Sequence, residues 1–63
     1  DREIKKAIAE LSPRQQQVFV LRYYEDLPLS EIADILGLKV GSIKAHLFNA
    51  IRNLRKYLKP YVE

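Results

Sequence analysis

Residues 29–47 read L-S-E-I-A-D-I-L-G-L-K-V-G-S-I-K-A-H-L, and the glycine inside that stretch limits what the chain can become. Before it, Ile32, Ala33, Ile35 and Leu36 recur at helical spacing. Ser30 stands at the start of this segment, where its oxygen can accept from the first free backbone N–H groups. Gly37 comes where a helix must close in a left-handed residue, a conformation that costs glycine least. Leu38 follows as a buried turn residue, and Val40, Ile43 and Leu47 then start a helix on a new axis. Ala33 is small enough to let that helix cross closely. The combination predicts a helix-turn-helix over about residues 29–48. An ordinary αα-hairpin in a helical bundle is the other arrangement the spacing permits.

Two helices are expected upstream. Ile4, Ala7, Ile8 and Leu11 form one stripe in residues 2–11, with Arg2, Lys5, Lys6 and Glu10 largely outside it. Ser12-Pro13 then marks a boundary, because serine caps and proline suits the first helical position. Gln15, three residues on, fits a capping box. The second helix is expected over residues 13–25. Its Val18, Phe19, Val20, Leu21, Tyr23 and Tyr24 span most of the circumference, so it is either wrapped on several sides or presents an apolar face to a partner. Proline at position 28 disfavours helix at Leu27 and separates this segment from the next.

The last helix is expected from Val40 or Gly41 to about Leu58, with Pro60 just beyond. Val40, Ile43, Leu47, Ala50, Leu54 and Leu58 share one side. Ser42, Ala45, Asn49, Arg52 and Lys56 cluster on the far side, with Lys44, Phe48 and Arg55 on one edge and His46 and Asn53 on the other. Small polar residues therefore lead and cations follow, which suits first turns in a major groove and later turns along phosphates. Asn49 can pair bidentately with adenine. Phe48 can touch a thymine methyl, or lie as a partly buried satellite of the core.

Charge agrees with that layout. The net charge of the 63 residues is only +3, but residues 1–38 carry −2 and residues 39–63 carry +5. A basic half that contains the second helix of the motif suits a phosphate backbone. A chain this short buries only roughly 60% of its unfolded surface. With no cysteine, neither a disulfide nor a thiolate-bound zinc can reinforce it. Catalysis, a cofactor and a small-molecule substrate are not expected, since the chain has one histidine, two glycines and no metal-ligand cluster. Glu31 and Asp34 read most simply as an exposed helix face. No apolar run approaches membrane-spanning length and no signal peptide is visible, so no membrane is expected and the cytoplasm is. The chain begins at Asp1 and reads as a single domain cut from a longer protein.

These residues resemble region 4 of bacterial sigma factors, closest to the extracytoplasmic-function (ECF) group. The likeness runs through Leu11-Ser12-Pro13 and Val18-Phe19-Val20-Leu21-Arg22. It continues through Glu25 and Ser30-Glu31-Ile32-Ala33-Asp34-Ile35-Leu36-Gly37. It ends in Val40-Gly41-Ser42-Ile43-Lys44-Ala45-His46-Leu47-Phe48-Asn49-Ala50-Ile51-Arg52-Asn53-Leu54-Arg55, and covers about residues 3–59. The resemblance implies an all-α domain of four helices and recognition of the upstream (-35) promoter element in double-stranded DNA by the last helix. It further implies docking on the β flap of RNA polymerase and, in many relatives, an inhibitory anti-sigma partner. Base reading would fall on Lys44, Ala45, Phe48 and Asn49. Phosphate contact would fall on Lys39, Ser42 and Arg52, with Arg14 a further candidate. Arg55, Lys56 and His46 complete the expected DNA surface, and Phe19, Tyr23 and Tyr24 the expected partner surface.

Three positions depart from that pattern. Lys39 replaces the usual serine or threonine cap of the recognition helix, and His46 and Asn49 replace common arginines. The last two changes remove charge near the groove, so sequence preference cannot be copied from relatives. The NarL/LuxR-type regulator domain is the nearest alternative, since Lys44-Ala45-His46 leans towards it. Leu21-Arg22, the acidic Glu25-Asp26 and the basic tail to Lys59 stand against it. A protein-interaction module with little DNA affinity is the reading from another class, motivated by the apolar second helix.

Overall fold

The chain folds around its last helix. The computed structural model describes the backbone of residues 2–62 and the side chains of residues 2–58. Its helices are α1 (Arg2–Ala9), α2 (Pro13–Tyr23), α3 (Leu29–Leu36) and α4 (Val40–Val62). At a rise of ~1.5 Å per residue the 23 residues of α4 set the long axis of a molecule measuring 35 × 19 × 17 Å. All three shorter helices pack on α4, and α2 also packs on α3. This is the four-helix, all-α architecture expected from the pattern.

The core falls into two clusters along α4. Ala7, Ile8 and Leu11 meet Ala50 and Leu54, with Phe19 and Leu58 against them. Val18, Ile32, Ala33 and Ile43 form the other, with Leu21, Leu27, Leu29, Leu36, Leu38 and Leu47 against them. Val18, Ile32 and Ile43 are wholly buried, each contributing about 1.5–3 kcal/mol by leaving water. Helix α2 therefore sends Val18 to one cluster and Phe19 to the other. That division accounts for Val18 and Phe19, while Tyr23 and Tyr24 at the end of the segment stay exposed.

The element ends are set by local hydrogen bonding. Past Ala9, Glu10 and Leu11 donate to the Ala7 and Ile8 carbonyls, and this tightened turn carries Leu11 into the core. The Ser12 hydroxyl accepts from the Gln15 N–H at 3.3 Å, with Pro13 at the first helical position. The reciprocal half of the expected capping box is missing, because the Gln15 side-chain oxygen accepts instead from Asn53 Nδ2 of α4 at 3.0 Å. Helix α2 stops at Tyr23 rather than at residue 25. Tyr24 and Glu25 both donate to the Val20 carbonyl, and Asp26 then turns the chain at φ 57°. The Arg22 guanidinium pins this turn by donating to the Leu27 carbonyl.

Ser30 does not cap α3. The cap position is Pro28, which offers no side-chain bond, and Ser30 lies one residue inside the helix on its exposed side. Gly37 adopts φ 67°, ψ 34°, as expected. The Leu38 N–H reaches the Ala33 carbonyl and the Gly37 N–H the Asp34 carbonyl, the double closure of a Schellman turn. Ile35 is the misplaced member of the expected stripe: it is 55% exposed, because it lies well round the helix from Ile32, Ala33 and Leu36. Val40 is also exposed, although Ile43 one turn on is wholly buried. Helix α4 runs past Leu58 and through Pro60 to Val62. The Lys59 side chain lies outside the described residues.

Candidate nucleic-acid interface

Helix α3, the Gly37 turn and the start of α4 form the helix-turn-helix. Ala33 is buried where α3 meets α4, and Ile43 is buried in the same cluster. These two residues turn the other side of α4 outward. No acidic residue occurs between positions 40 and 62, so no carboxylate on this helix offsets its cations.

Burial sorts the expected DNA residues into two groups. Lys44, Ala45, Phe48, Arg52, Arg55 and Lys56 are exposed along one continuous side. Lys39 is exposed at the end of the turn. Ser42, His46 and Asn49 are half-buried. Periodicity sets Ser42 and Asn49 on the side away from the core, but more than one helix packs on α4 and leaves them, with His46, partly covered. Arg14 is also half-buried, at the start of α2, and donates to the Gln17 side chain at 3.3 Å.

Phe48 is not a satellite of the core. It is 66% exposed, more than the other large apolar side chains among the described residues. The Arg52 guanidinium carbon stands 5.9 Å from its ring centroid. At the N-terminal end of α4, Ser42 and Ile43 donate to the Lys39 carbonyl at 3.0 and 3.1 Å. Lysine has no side-chain acceptor, so Lys39 cannot cap the N–H groups ahead of these as serine would. Those donors, together with Lys39 and Lys44, leave the helix start electropositive.

The expected partner surface lies elsewhere. Tyr23 and Tyr24 are 53% and 58% exposed, and both rest on half-buried Phe19. The ring centroids lie 4.9 Å apart for Phe19–Tyr23 and 6.4 Å for Phe19–Tyr24, in tilted and edge-on arrangements. The structure adds an open groove between α2 and α3, lined by Pro13, Gln16, Gln17, Val20, Leu21, Ile35 and Leu36. Its only signal in the sequence is Ile35, an isoleucine out of register with its own helix. Among the described residues no group of side chains could hold a metal ion, and no helix is long and apolar enough to cross a membrane.

Geometry and charge together define a small helix-turn-helix domain whose last helix presents an exposed, acid-free basic side. Residues 1–54 match the family described as sigma-70, region 4. The chain is 36% identical over 55 residues to RNA polymerase sigma factor SigV of Bacillus subtilis, covering 87% of this chain and 33% of that one. It is 38% identical over 53 residues to an RNA polymerase sigma-E factor of Streptomyces antibioticus, covering 84% and 29%. It is 36% identical over 56 residues to ECF RNA polymerase sigma factor SigW of Bacillus subtilis, covering 89% and 30%. The chain belongs to the sigma-70 region 4 family and is the DNA-binding domain of a sigma factor of the ECF type. This decides against the NarL/LuxR-type alternative. The chain spans about a third of the length of the curated relatives it matches.

Proposed function

We propose that this domain reads the upstream (-35) promoter element with the exposed side of α4 while docking on RNA polymerase through the aromatic face of α2. The observation that carries the DNA half is the acid-free outer side of α4, small at Ala45 and cationic from Arg52 to Lys56. The mechanism is physical rather than catalytic. Lys39, Arg52, Arg55 and Lys56 supply salt-dependent affinity for phosphates, with Ser42 and His46 as edge donors and Arg14 as a further candidate from α2. Lys44, Ala45, Phe48 and Asn49 discriminate bases. Asn49 does so from the edge of the helix, which suits a base pair at the rim of the contact. The process it serves places the protein in the cytoplasm, with the promoter.

Promoter-library selection with the full natural chain and core polymerase tests this directly. One upstream element should be enriched at fixed spacing from the start site. Enrichment of paired symmetric half-sites without polymerase would reject it. Removing Arg52 should weaken binding to all sequences and lower the salt slope by about 1. Asn49→Ala should instead change preference among promoters; equal losses on every sequence would remove it from the readers.

The docking half rests on Phe19, Tyr23 and Tyr24, whose rings form one continuous aromatic surface on α2. The relatives are named as RNA polymerase sigma factors, and the β flap of that enzyme is the proposed contact. The same face is open to an anti-sigma partner. Tyr23→Ala should lose polymerase binding and keep DNA affinity. Normal polymerase binding by that variant would place the partner surface elsewhere, with the α2–α3 groove the next region to change.

A further inference from the structure

Phe48 has no core contact to hold it, yet its ring face is occupied by Arg52. The pair is spaced i,i+4, so the two side chains lie one above the other on the outer side of α4. Long helical side chains lean towards the N-terminus, which carries Arg52 over the turn that holds Phe48. The other neighbours push the same way. Arg55 and Lys56 stand three and four residues after Arg52, and both repel it. No carboxylate on α4 competes for it. An aromatic face within about 6 Å of a guanidinium is attractive, and more so once water is excluded.

We propose that Phe48 is a positioning residue for Arg52, its ring holding the guanidinium over the outer side of α4 before DNA arrives. An arginine loses rotamer freedom when it grips a phosphate, and part of that loss is already taken in the free protein. This deepens the DNA reading above and rests on Arg52 as a phosphate contact. It also gives Phe48 a role that does not depend on which base it faces.

The test uses the full natural chain with Phe48→Leu, Phe48→Tyr, Arg52→Ala and the Phe48→Leu/Arg52→Ala double variant. In the DNA-free chain, NMR relaxation at Arg52 Nε should show a lower order parameter in Phe48→Leu, restored in Phe48→Tyr, which keeps an aromatic face. An unchanged order parameter in Phe48→Leu overturns the positioning, whatever the DNA result. On a promoter duplex titrated across a salt series, Phe48→Leu should lose affinity about two- to five-fold. Its salt slope should move towards that of Arg52→Ala. In the Arg52→Ala background Phe48→Leu should cost less than in the parent chain, leaving only the share of its own base contact, because the group it positions is gone. Losses that multiply, with the Phe48→Leu slope unchanged, would assign Phe48 to base contact alone and overturn the proposal. If the order parameter falls but Arg52→Ala leaves the salt slope unchanged, the positioning stands and the phosphate reading of Arg52 fails.

Discussion

Gly37 and Gly41 stand four residues apart in the motif, and beyond the adjoining backbone neither has a neighbouring atom within 4 Å of where a Cβ would sit. Space does not separate them; backbone does. Gly37 is at φ 67°, where an L side chain costs about 1–2 kcal/mol, so Gly37→Ala should destabilise the domain by about that amount. Gly41 is in the first turn of α4 with an ordinary helical backbone. Gly41→Ala should therefore stabilise by about 0.5–1 kcal/mol. Asp26 carries the same left-handed strain in a residue with a Cβ, at φ 57°. Asp26→Gly should gain about 0.5–1 kcal/mol. Urea denaturation of the three variants checks all three signs at once; a gain for Gly37→Ala would refute the assignment of its role to backbone geometry. Gly37 was legible in the sequence because a glycine directly after an apolar helical stripe is the usual way for a helix to close. Asp26 was less so: aspartate is among the residues that visit the left-handed region, but it does so at few of the turns it occupies.

At the scale of elements, the polar contact between α2 and α4 is the one that neighbouring residues could not reveal. Gln15 and Asn53 are 38 positions apart, and their side chains meet at 3.0 Å in a half-buried site. Locally, Gln15 satisfied the capping-box spacing; tertiary packing gave its side chain a better partner. A double-mutant cycle with Gln15→Ala and Asn53→Ala should show a coupling of about 0.5–1.5 kcal/mol. Strict additivity would mean that the bond does not fix how the helices sit. The helices themselves were readable because period, cap and breaker coincided at Ser12-Pro13, Pro28 and Gly37. Their ends were less so, as with α2, which closes at Tyr23 through bonds to Val20 that no cap residue foretells. The outer side of α4 was also readable, since the buried side fixes it by elimination. What periodicity could not resolve was the edge: Ser42, His46 and Asn49 are half-buried because α4 is flanked by more than one helix.

At the scale of the molecule, the two core clusters are joined by α2 and α4 but have separate buried centres. Ile32→Ala removes a wholly buried side chain beside the motif and should cost about 2–5 kcal/mol. That is much of the stability of a domain this small. The pair of Leu54→Val in one cluster and Ile43→Val in the other, each milder, should be additive within about 0.5 kcal/mol. Large non-additivity, measured by thermal unfolding, would mean that the clusters behave as one. Hydrogen exchange should find the amides of α1 opening more readily than those of α3 and the adjoining part of α4, since α1 is tied only to the far cluster. The divided core also bears on how such a domain can change over generations. Substitutions that repack the end of α4 beside the motif meet Val18, Ile32, Ala33 and Ile43, whereas the packing beneath α1 belongs to the other cluster. A lineage can therefore vary one end of the domain while the remainder of the fold is inherited intact.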